Sequence, residues 1–169
     1  CLNQTNIMAD LDKIRKLCKL MVNANPGDHF STLGLRFIRI EQGKTVAELP
    51  YSEGIVGNPD TGVIHGGALT ALLDSACGFA AVAALDELSL CPTMDLRVDY
   101  MRPAEPYKPV FAMAEAYRVT RQVVFCRGVA YQDDIDKPVA HCVANFTRLD
   151  PEIGAEMARM IEPFLNNME

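Results

Sequence analysis

The stretch GVIHGGALTALLDSACGF, residues 62–79, decides the fold of this chain. Apolar residues recur there at helical spacing with small apolar residues between them, which predicts a central helix, wrapped by other elements, from about Gly66 to Leu85. One carboxylate, Asp74, stands in this apolar helix, and a buried carboxylate is costly unless it is paired, hydrogen-bonded or used. The His-Gly-Gly turn at residues 65–67 leaves backbone N–H groups free to hold a developing negative charge. Together, the acid and the turn suggest hydrolytic chemistry at a carbonyl.

Alternating apolar and polar residues predict strands on both sides of this helix. The predicted strands are residues 33–41, 45–49, 93–101, 109–120, 122–132 and 138–149. Residues 50–62 contain two prolines and three glycines, which predicts a loop. Helical spacing predicts an N-terminal helix over 6–22, and a short C-terminal helix is expected to begin near Asp150. This order predicts an α+β fold in which a mostly antiparallel sheet wraps one long helix.

Composition narrows the class of protein. The chain has 169 residues, 49% of them apolar, and a net charge of −6, which indicates one ordinary domain and argues against nucleic acid as a partner. Six cysteines without a C-x-x-C pair indicate reduced thiols in a cytoplasmic protein. Asp74 interrupts the long apolar run, so we expect a buried helix and no membrane span. The three histidines lie far apart in sequence, so we expect no metal site.

Three motifs together resemble the hotdog-fold acyl-CoA thioesterases, and among them the phenylacetyl-CoA-thioesterase-like (PaaI-type) group. The motifs are GVIHGG at 62–67, the acid Asp74 nine positions after His65, and DYMRPA at 99–104. The resemblance implies a hotdog thioesterase domain over 33–149, with a helix and connector at 1–32 and a C-terminal helix at 150–169. It also implies hydrolysis of acyl-CoA thioesters, with CoA as part of the substrate and no separate cofactor.

The resemblance implies a role for each residue of the motifs. Asp74 would be the nucleophile or the general base that activates water, and the Gly66 amide would polarise the thioester carbonyl. His65 would shape the turn, Asn58 would help to position the water or the acid, and Thr93 would assist the site. The spacing between Asn58 and His65 is longer than is common in that family.

Candidate substrate contacts carry less specific signals. Guanidinium groups suit the phosphates of CoA, although a single arginine on a strand is more often ordinary solvated charge. The candidates for binding substrate are Gly67, Ser75, Arg102, Arg118 and Arg121. Met94, Phe79 and Tyr100 either line an acyl pocket or belong to the core.

Helix geometry separates the two central groups. Gly66 and Asp74 are eight residues apart (74 − 66), so their backbones lie about 12 Å apart on one helix. One thioester carbonyl cannot contact both groups from the same chain. We therefore expect a homodimer with two shared sites related by two-fold symmetry, a similarity to the hotdog family, in which dimers often pair into tetramers.

Other functions are open at this point. A structural Asp74 would depend on Thr70, the one helical neighbour that offers it a good hydrogen bond. A non-catalytic acyl-CoA-binding module of the same fold would gain little from a buried acid. An enoyl-CoA hydratase of related fold would need a histidine about five residues after the aspartate, where this chain has Phe79, and a purely structural oligomer would explain neither the acid nor the turn. Aryl-acetyl, aromatic and medium-chain acyl groups are all compatible with the sequence.

Overall fold

One six-stranded sheet and one long helix dominate the structure, a computed structural model that describes residues 11–17, 19, 28–86 and 88–166. All neighbouring strands of the sheet are antiparallel. Their order is β1 (Arg36–Glu41), β2 (Lys44–Leu49), β6 (Val110–Val119), β7 (Val123–Tyr131), β8 (Ala140–Thr147) and β5 (Thr93–Tyr100). Two short strands, β3 (Val56–Asn58) and β4 (Val63–Ile64), pair separately. The helices are α1 (11–17), α2 (His29–Leu33), α3 (Gly66–Ala83) and α4 (Pro151–Asn166).

The long helix α3 packs against the inner face of the sheet. Its residues Leu72, Leu73 and Ala76 are fully buried, and the residues of β6 that point inward, Ala112 and Ala114, are small and buried. Small residues on the sheet let the helix axis come close, so the core is dense without large side chains on both layers. This arrangement confirms the predicted hotdog fold, in which an antiparallel sheet wraps one central apolar helix.

Two hydrogen bonds fix the β1–β2 hairpin to this helix. The buried Thr45 hydroxyl donates to the Ala76 carbonyl at 2.7 Å. The N–H of Gly43, in the hairpin turn, donates to the Ala83 carbonyl at the end of α3 at 3.0 Å. Gly43 has a φ of +65°, a left-handed conformation that glycine adopts at low cost. The same packing explains the length and apolarity of α3, which would suffice for a membrane span although 61% of its residues are buried inside the protein.

Two segments differ from the sequence prediction. The predicted strand over 33–41 begins only at Arg36, because Asp28 accepts from the Ser31 N–H and starts α2, and Gly34 ends α2 at a φ of +67°. The apolar alternation of the strand runs on into this helix, which hides the boundary. The predicted loop at 50–62 contains strand β3, which pairs with β4.

The terminal helices also differ in extent from their predictions. The C-terminal helix α4 is 16 residues long rather than short, and its internal Pro163 does not end it. Of the N-terminal helix predicted over 6–22, residues 11–17 are helical and most of the remainder lies outside the described residues. Two of the six cysteines, Cys1 and Cys18, also lie outside them.

Candidate active site

The first turn of α3 is built around His65. His65 caps the helix, since its imidazole Nδ1 accepts the Gly67 N–H at 2.9 Å. Its carbonyl accepts the Ala68 N–H at 3.0 Å, and its own N–H donates to the Ile55 carbonyl at 2.8 Å. The cap therefore uses the Gly67 amide. The Gly66 N–H has no acceptor among the described residues and stands at a half-exposed position.

Tyr100 holds the other side of this turn. Its hydroxyl donates to the Gly66 carbonyl at 2.8 Å and lies 2.7 Å from the Thr70 hydroxyl. Thr70 also approaches the Gly66 carbonyl, at 3.2 Å. Two hydroxyls thus hold the Gly66 carbonyl and fix the Gly66–Gly67 peptide, while the Gly66 N–H is one of the first N–H groups of the helix, which have no carbonyl partner within it. The sequence prediction for Tyr100 was either core or acyl pocket, and no local pattern indicates its contact with the first turn of α3.

Gly57 lets β3 pass close beneath the turn. A Cβ added to Gly57 would lie 2.8 Å from the Cα of His65 and 3.2 Å from its nitrogen. Because the obstructing atoms are backbone, no side-chain rotation could relieve the contact. Only glycine allows this approach, and the sequence prediction of a plain loop missed it.

The carboxylate of Asp74 lies two turns further along α3. Thr93, the first residue of β5, donates its hydroxyl to Asp74 Oδ1 at 2.9 Å. The apolar surroundings of Asp74 along the helix suggested a buried carboxylate, and a structural role would have depended on Thr70; the structure shows neither. Asp74 is half-buried, and the Thr70 hydroxyl is engaged at the first turn of the helix. The partner comes from a distant strand, which spacing along one helix cannot reveal.

A cleft opens beside this carboxylate. Its volume is about 240 Å³, and its lining includes Asp74, Thr93 and Gly78 together with the aromatic rings of Phe30 and Phe146. The predicted contact residue Ser75 also lines the cleft, but its hydroxyl donates to the Ala71 carbonyl of its own helix at 2.7 Å. The cleft therefore combines one carboxylate with an otherwise largely apolar wall.

Cys91 lines the same cleft but is not a nucleophile at neutral pH. Burial raises the pKa of its thiol to about 11, so the thiol is protonated. Burial likewise raises the pKa of Cys126 to about 12. The Cys77 and Cys142 sulfur atoms lie 3.5 Å apart, and this contact together with burial raises the pKa of Cys77. All four of these cysteines are free thiols and buried, and Asp74 is the one acidic side chain among the residues that line the cleft.

Two of the predicted residues, Asn58 and Arg102, form no hydrogen bond to the first turn of α3 or to Asp74 within the described part of the chain. The side-chain oxygen of Asn58 accepts the Asp60 N–H at 3.0 Å, and its carbonyl accepts the Gly62 N–H at 2.8 Å. Asn58 thus shapes the loop that leads into the His65 turn. Arg102, just beyond the end of β5, donates to the Lys137 carbonyl at 3.0 Å.

The other two predicted arginines stand near the Asp74 end of the sheet. Arg118 and Arg121 are exposed, close to the turn between β6 and β7. Thr93 pairs with Phe146, and Phe146 pairs with Val124 just after that turn. The register therefore places both arginines at the end of the sheet that holds Thr93, about three strand spacings of 4.8 Å away.

The structure brings the predicted residues together in two separate groups. His65, Gly66 and Gly67 form the first turn of α3, and Asp74 with Thr93 forms the second group. Eight residues of helix separate Gly66 from Asp74, or about 12 Å. Within the described part of the chain, no three His, Cys, Asp or Glu side chains converge to hold a metal ion.

Comparisons with known proteins agree with this architecture. A family model described as the thioesterase superfamily matches residues 61–139. YigI, a medium/long-chain acyl-CoA thioesterase of Salmonella typhimurium, is 32% identical over 117 residues, which cover 60% of this chain and 74% of YigI.

Solved structures show the same likeness. A crystal structure from Pseudomonas aeruginosa is 46% identical and has a TM-score of 0.69, with 82% of this chain and 98% of that one covered. A mutant of the phenylacetic acid degradation protein PaaI from Thermus thermophilus is 26% identical with a TM-score of 0.62. The match covers 70% of this chain and 96% of that one. Together these similarities support thioester hydrolysis as the general activity.

Proposed function

We propose that this chain, which belongs to the thioesterase superfamily, hydrolyses acyl-CoA thioesters to the free acid and CoA, with Asp74 as the catalytic carboxylate. The observation that carries the proposal is the position of Asp74 at the wall of a largely apolar cleft, with Thr93 bonded to one of its oxygens. The cleft suits the acyl group of a substrate. Thr93 donates to Oδ1 of Asp74, so the other carboxylate oxygen is available to attack the thioester or to accept a proton from water.

Two reaction paths use this carboxylate. As a nucleophile, an Asp74 oxygen bonds to the thioester carbon, the C–S bond breaks, the CoA thiolate leaves, and water then hydrolyses the acyl anhydride. As a general base, Asp74 takes a proton from water while the water oxygen bonds to the same carbon, and the CoA thiolate again leaves. Both paths place negative charge on the carbonyl oxygen in the transition state. A backbone N–H is then needed to stabilise it.

The Gly66 amide is the proposed donor, and it acts from a second copy of the chain. The helix places Gly66 about 12 Å from Asp74 of its own chain, beyond the reach of one carbonyl group. A two-fold dimer brings Gly66 of one copy to Asp74 of the other and creates two such sites.

The edge strand β5 supports a dimer at this place. Among the described residues it pairs only with β8, so no strand of this part of the chain occupies its other backbone edge. Met94 on this strand is 61% exposed and Tyr100 is 52% exposed, although both are large and mostly apolar. An unpaired edge with exposed apolar side chains is a ready surface for a second copy. We propose a homodimer through this region, with pairing of dimers as a further step of assembly.

The substrate's CoA portion is proposed to lie near Arg118 and Arg121. Both are exposed at the end of the sheet that carries Thr93, and guanidinium groups bind phosphate well. CoA is part of the substrate and product in this reaction, and the proposal needs no other cofactor. A cytoplasmic location, where acyl-CoA is available, also remains a proposal.

A thiol-release assay over a panel of acyl-CoA substrates tests the function. The wild-type protein is expected to release CoA, and Asp74→Asn is expected to lose at least about 100-fold in rate. Asn is nearly the same size as Asp, so the fold and the cleft are retained, and binding of acyl-CoA measured by calorimetry should persist. Wild-type protein that binds acyl-CoA without releasing thiol would instead be a binding module. Undiminished turnover by Asp74→Asn would assign the chemistry to another group.

A further inference from the structure

The cleft beside Asp74 follows one face of α3. Asp74, Gly78 and Val82 stand at successive helical turns and all line it. Eight residues separate the first from the last, so the cleft extends about 12 Å along the helix axis. A substrate with its carbonyl at Asp74 would therefore lay its acyl chain along the helix, past Gly78 and toward Val82.

The size of this cleft limits the acyl group. A dry cavity of about 150 Å³ holds a benzene molecule, and at the same occupancy a cleft of about 240 Å³ holds about eight to ten carbons. The wall along this path is apolar and includes Phe30, Phe79 and Phe146. Both a straight chain of medium length and an arylacetyl group match this volume and lining, whereas a long fatty chain exceeds it.

Gly78 keeps the passage open one turn after the carboxylate. A glycine inside a helix costs stability relative to alanine, so its presence in the middle of α3 calls for a packing reason. A Cβ added there would meet only the Phe146 ring, at 3.4 Å from its nearest atom, which is a close but ordinary contact. The position thus tolerates a methyl group, and the space that the methyl would fill belongs to the cleft.

Phe30 forms part of the cleft wall although it belongs to none of the strands. It belongs to the short helix α2, and its ring lies edge-on to the Phe79 ring with centroids 6.5 Å apart. Phe79 is buried and also contacts Phe37, at 4.6 Å between centroids, so it is held from two sides. Phe30 has fewer such restraints and is half-buried. It is the part of the wall whose removal would enlarge the cleft with least effect on the core.

We propose that Gly78 and Phe30 set the acyl specificity of this site, which accepts acyl groups of about eight carbons: Gly78 admits the chain past the carboxylate, and Phe30 limits its length. The inference rests on the proposed function, since it assigns the cleft to the acyl group of the thioester. It goes beyond that function by naming the substrate class and the two residues that select it.

The first test is Gly78→Ala, assayed for thiol release with acetyl-CoA, octanoyl-CoA and phenylacetyl-CoA. The added methyl narrows the path one turn from Asp74, where the two-carbon acetyl group does not reach. We expect kcat/KM for both eight-carbon substrates to fall about 10-fold, as a single misplaced methylene can do in an apolar pocket, and that for acetyl-CoA to stay within about two-fold. Alanine favours the helix, so melting temperature should not fall. Gly54→Ala is the matched control, because its Cβ would find its nearest atom 3.9 Å away and lies outside the cleft.

The second test is Phe30→Ala, assayed over chain lengths from C4 to C16. Removal of the ring is expected to raise the ratio of dodecanoyl-CoA to octanoyl-CoA turnover at least about five-fold. An unchanged chain-length profile in both Gly78→Ala and Phe30→Ala, with an active wild type, would overturn the inference and leave the proposed function intact. A wild type that hydrolyses no acyl-CoA would overturn the proposed function itself.

Discussion

The first turn and the third turn of α3 present their functional groups in opposite ways. At the first turn the group is a backbone N–H, and its position depends on how closely the backbone of β3 approaches His65 at Gly57. At the third turn the group is the Asp74 carboxylate, and its position depends on one hydroxyl, that of Thr93. The first turn is therefore sensitive to added atoms, and the third turn is sensitive to lost hydrogen bonds.

The edge strand β5 supports both turns. Thr93, its first residue, bonds to Asp74, and Tyr100, its last residue, bonds to the Gly66 carbonyl. The same strand carries the unpaired edge that we propose for the dimer. Association of two chains along β5 would thus fix the strand that holds both functional groups, which links assembly to activity.

The proposal that the two groups act from different chains is tested most directly by mixing two inactive variants. Gly66→Pro removes the N–H at the first position of the helix, where proline is well tolerated. His65 has φ −66° and ψ 134°, the extended conformation that a residue before proline prefers. Alone, Gly66→Pro and Asp74→Asn should each lose at least about 100-fold in rate. Refolded together, random pairing should return about a quarter of wild-type activity, since half of the dimers carry one intact site.

Two observations control this experiment. Gly66→Ala keeps the N–H but adds a Cβ that would lie 3.2 Å from the Tyr100 hydroxyl, so it separates loss of the amide from crowding. Mass spectrometry under native conditions should detect the mixed dimer. Mixed dimers as inactive as their parents would place both groups in a site within one chain.

How far the sequence predicts this molecule depends on the range of each interaction. The bounds of α3 and the six strands of the main sheet follow from local periodicity, and their ends were within three residues of the prediction. Helix α2 lies almost entirely in the segment predicted as a connector, because its five residues are too few to show a helical period and its capping by Asp28 is a matter of backbone geometry. Strand β3 was missed because three residues give too short a pattern.

The candidate site was predictable only in part for the same reason. Asp74 and the turn at residues 65–67 stand out in one short motif. Thr93 entered only through the resemblance to a family, since it is 19 residues away along the chain. The contacts of Gly57 and Tyr100 at the first turn have no local signal, because both join strands to the helix across the fold.

Gly57→Ala tests how strongly the first turn of α3 responds to an added atom. Its Cβ would lie 2.8 Å from the His65 Cα, and the two backbones must separate by several tenths of an ångström. We expect a rate loss of about 10- to 100-fold, because the Gly66 amide moves with the turn and small displacements of catalytic groups are costly. Gly54→Ala adds the same methyl three residues away, where its nearest atom would lie 3.9 Å off, and should leave the rate unchanged. A Gly57→Ala protein with wild-type turnover would show that the turn is not held by this approach.

The dependence of the third turn on a single hydrogen bond predicts the smallest of these effects. Thr93→Val keeps the shape of the side chain and removes the hydroxyl that donates to Asp74 at 2.9 Å. A hydrogen bond to a charged group is worth about 1.5–3 kcal/mol, part of which water can replace at this half-exposed carboxylate, so we expect kcat to fall about 10-fold. KM should change little, because the cleft keeps its volume, and Thr93→Ser should restore the rate because it returns the hydroxyl. If Thr93→Val retained full kcat, the carboxylate would be positioned by the helix alone, and the two turns would then both depend on backbone rather than on opposite means.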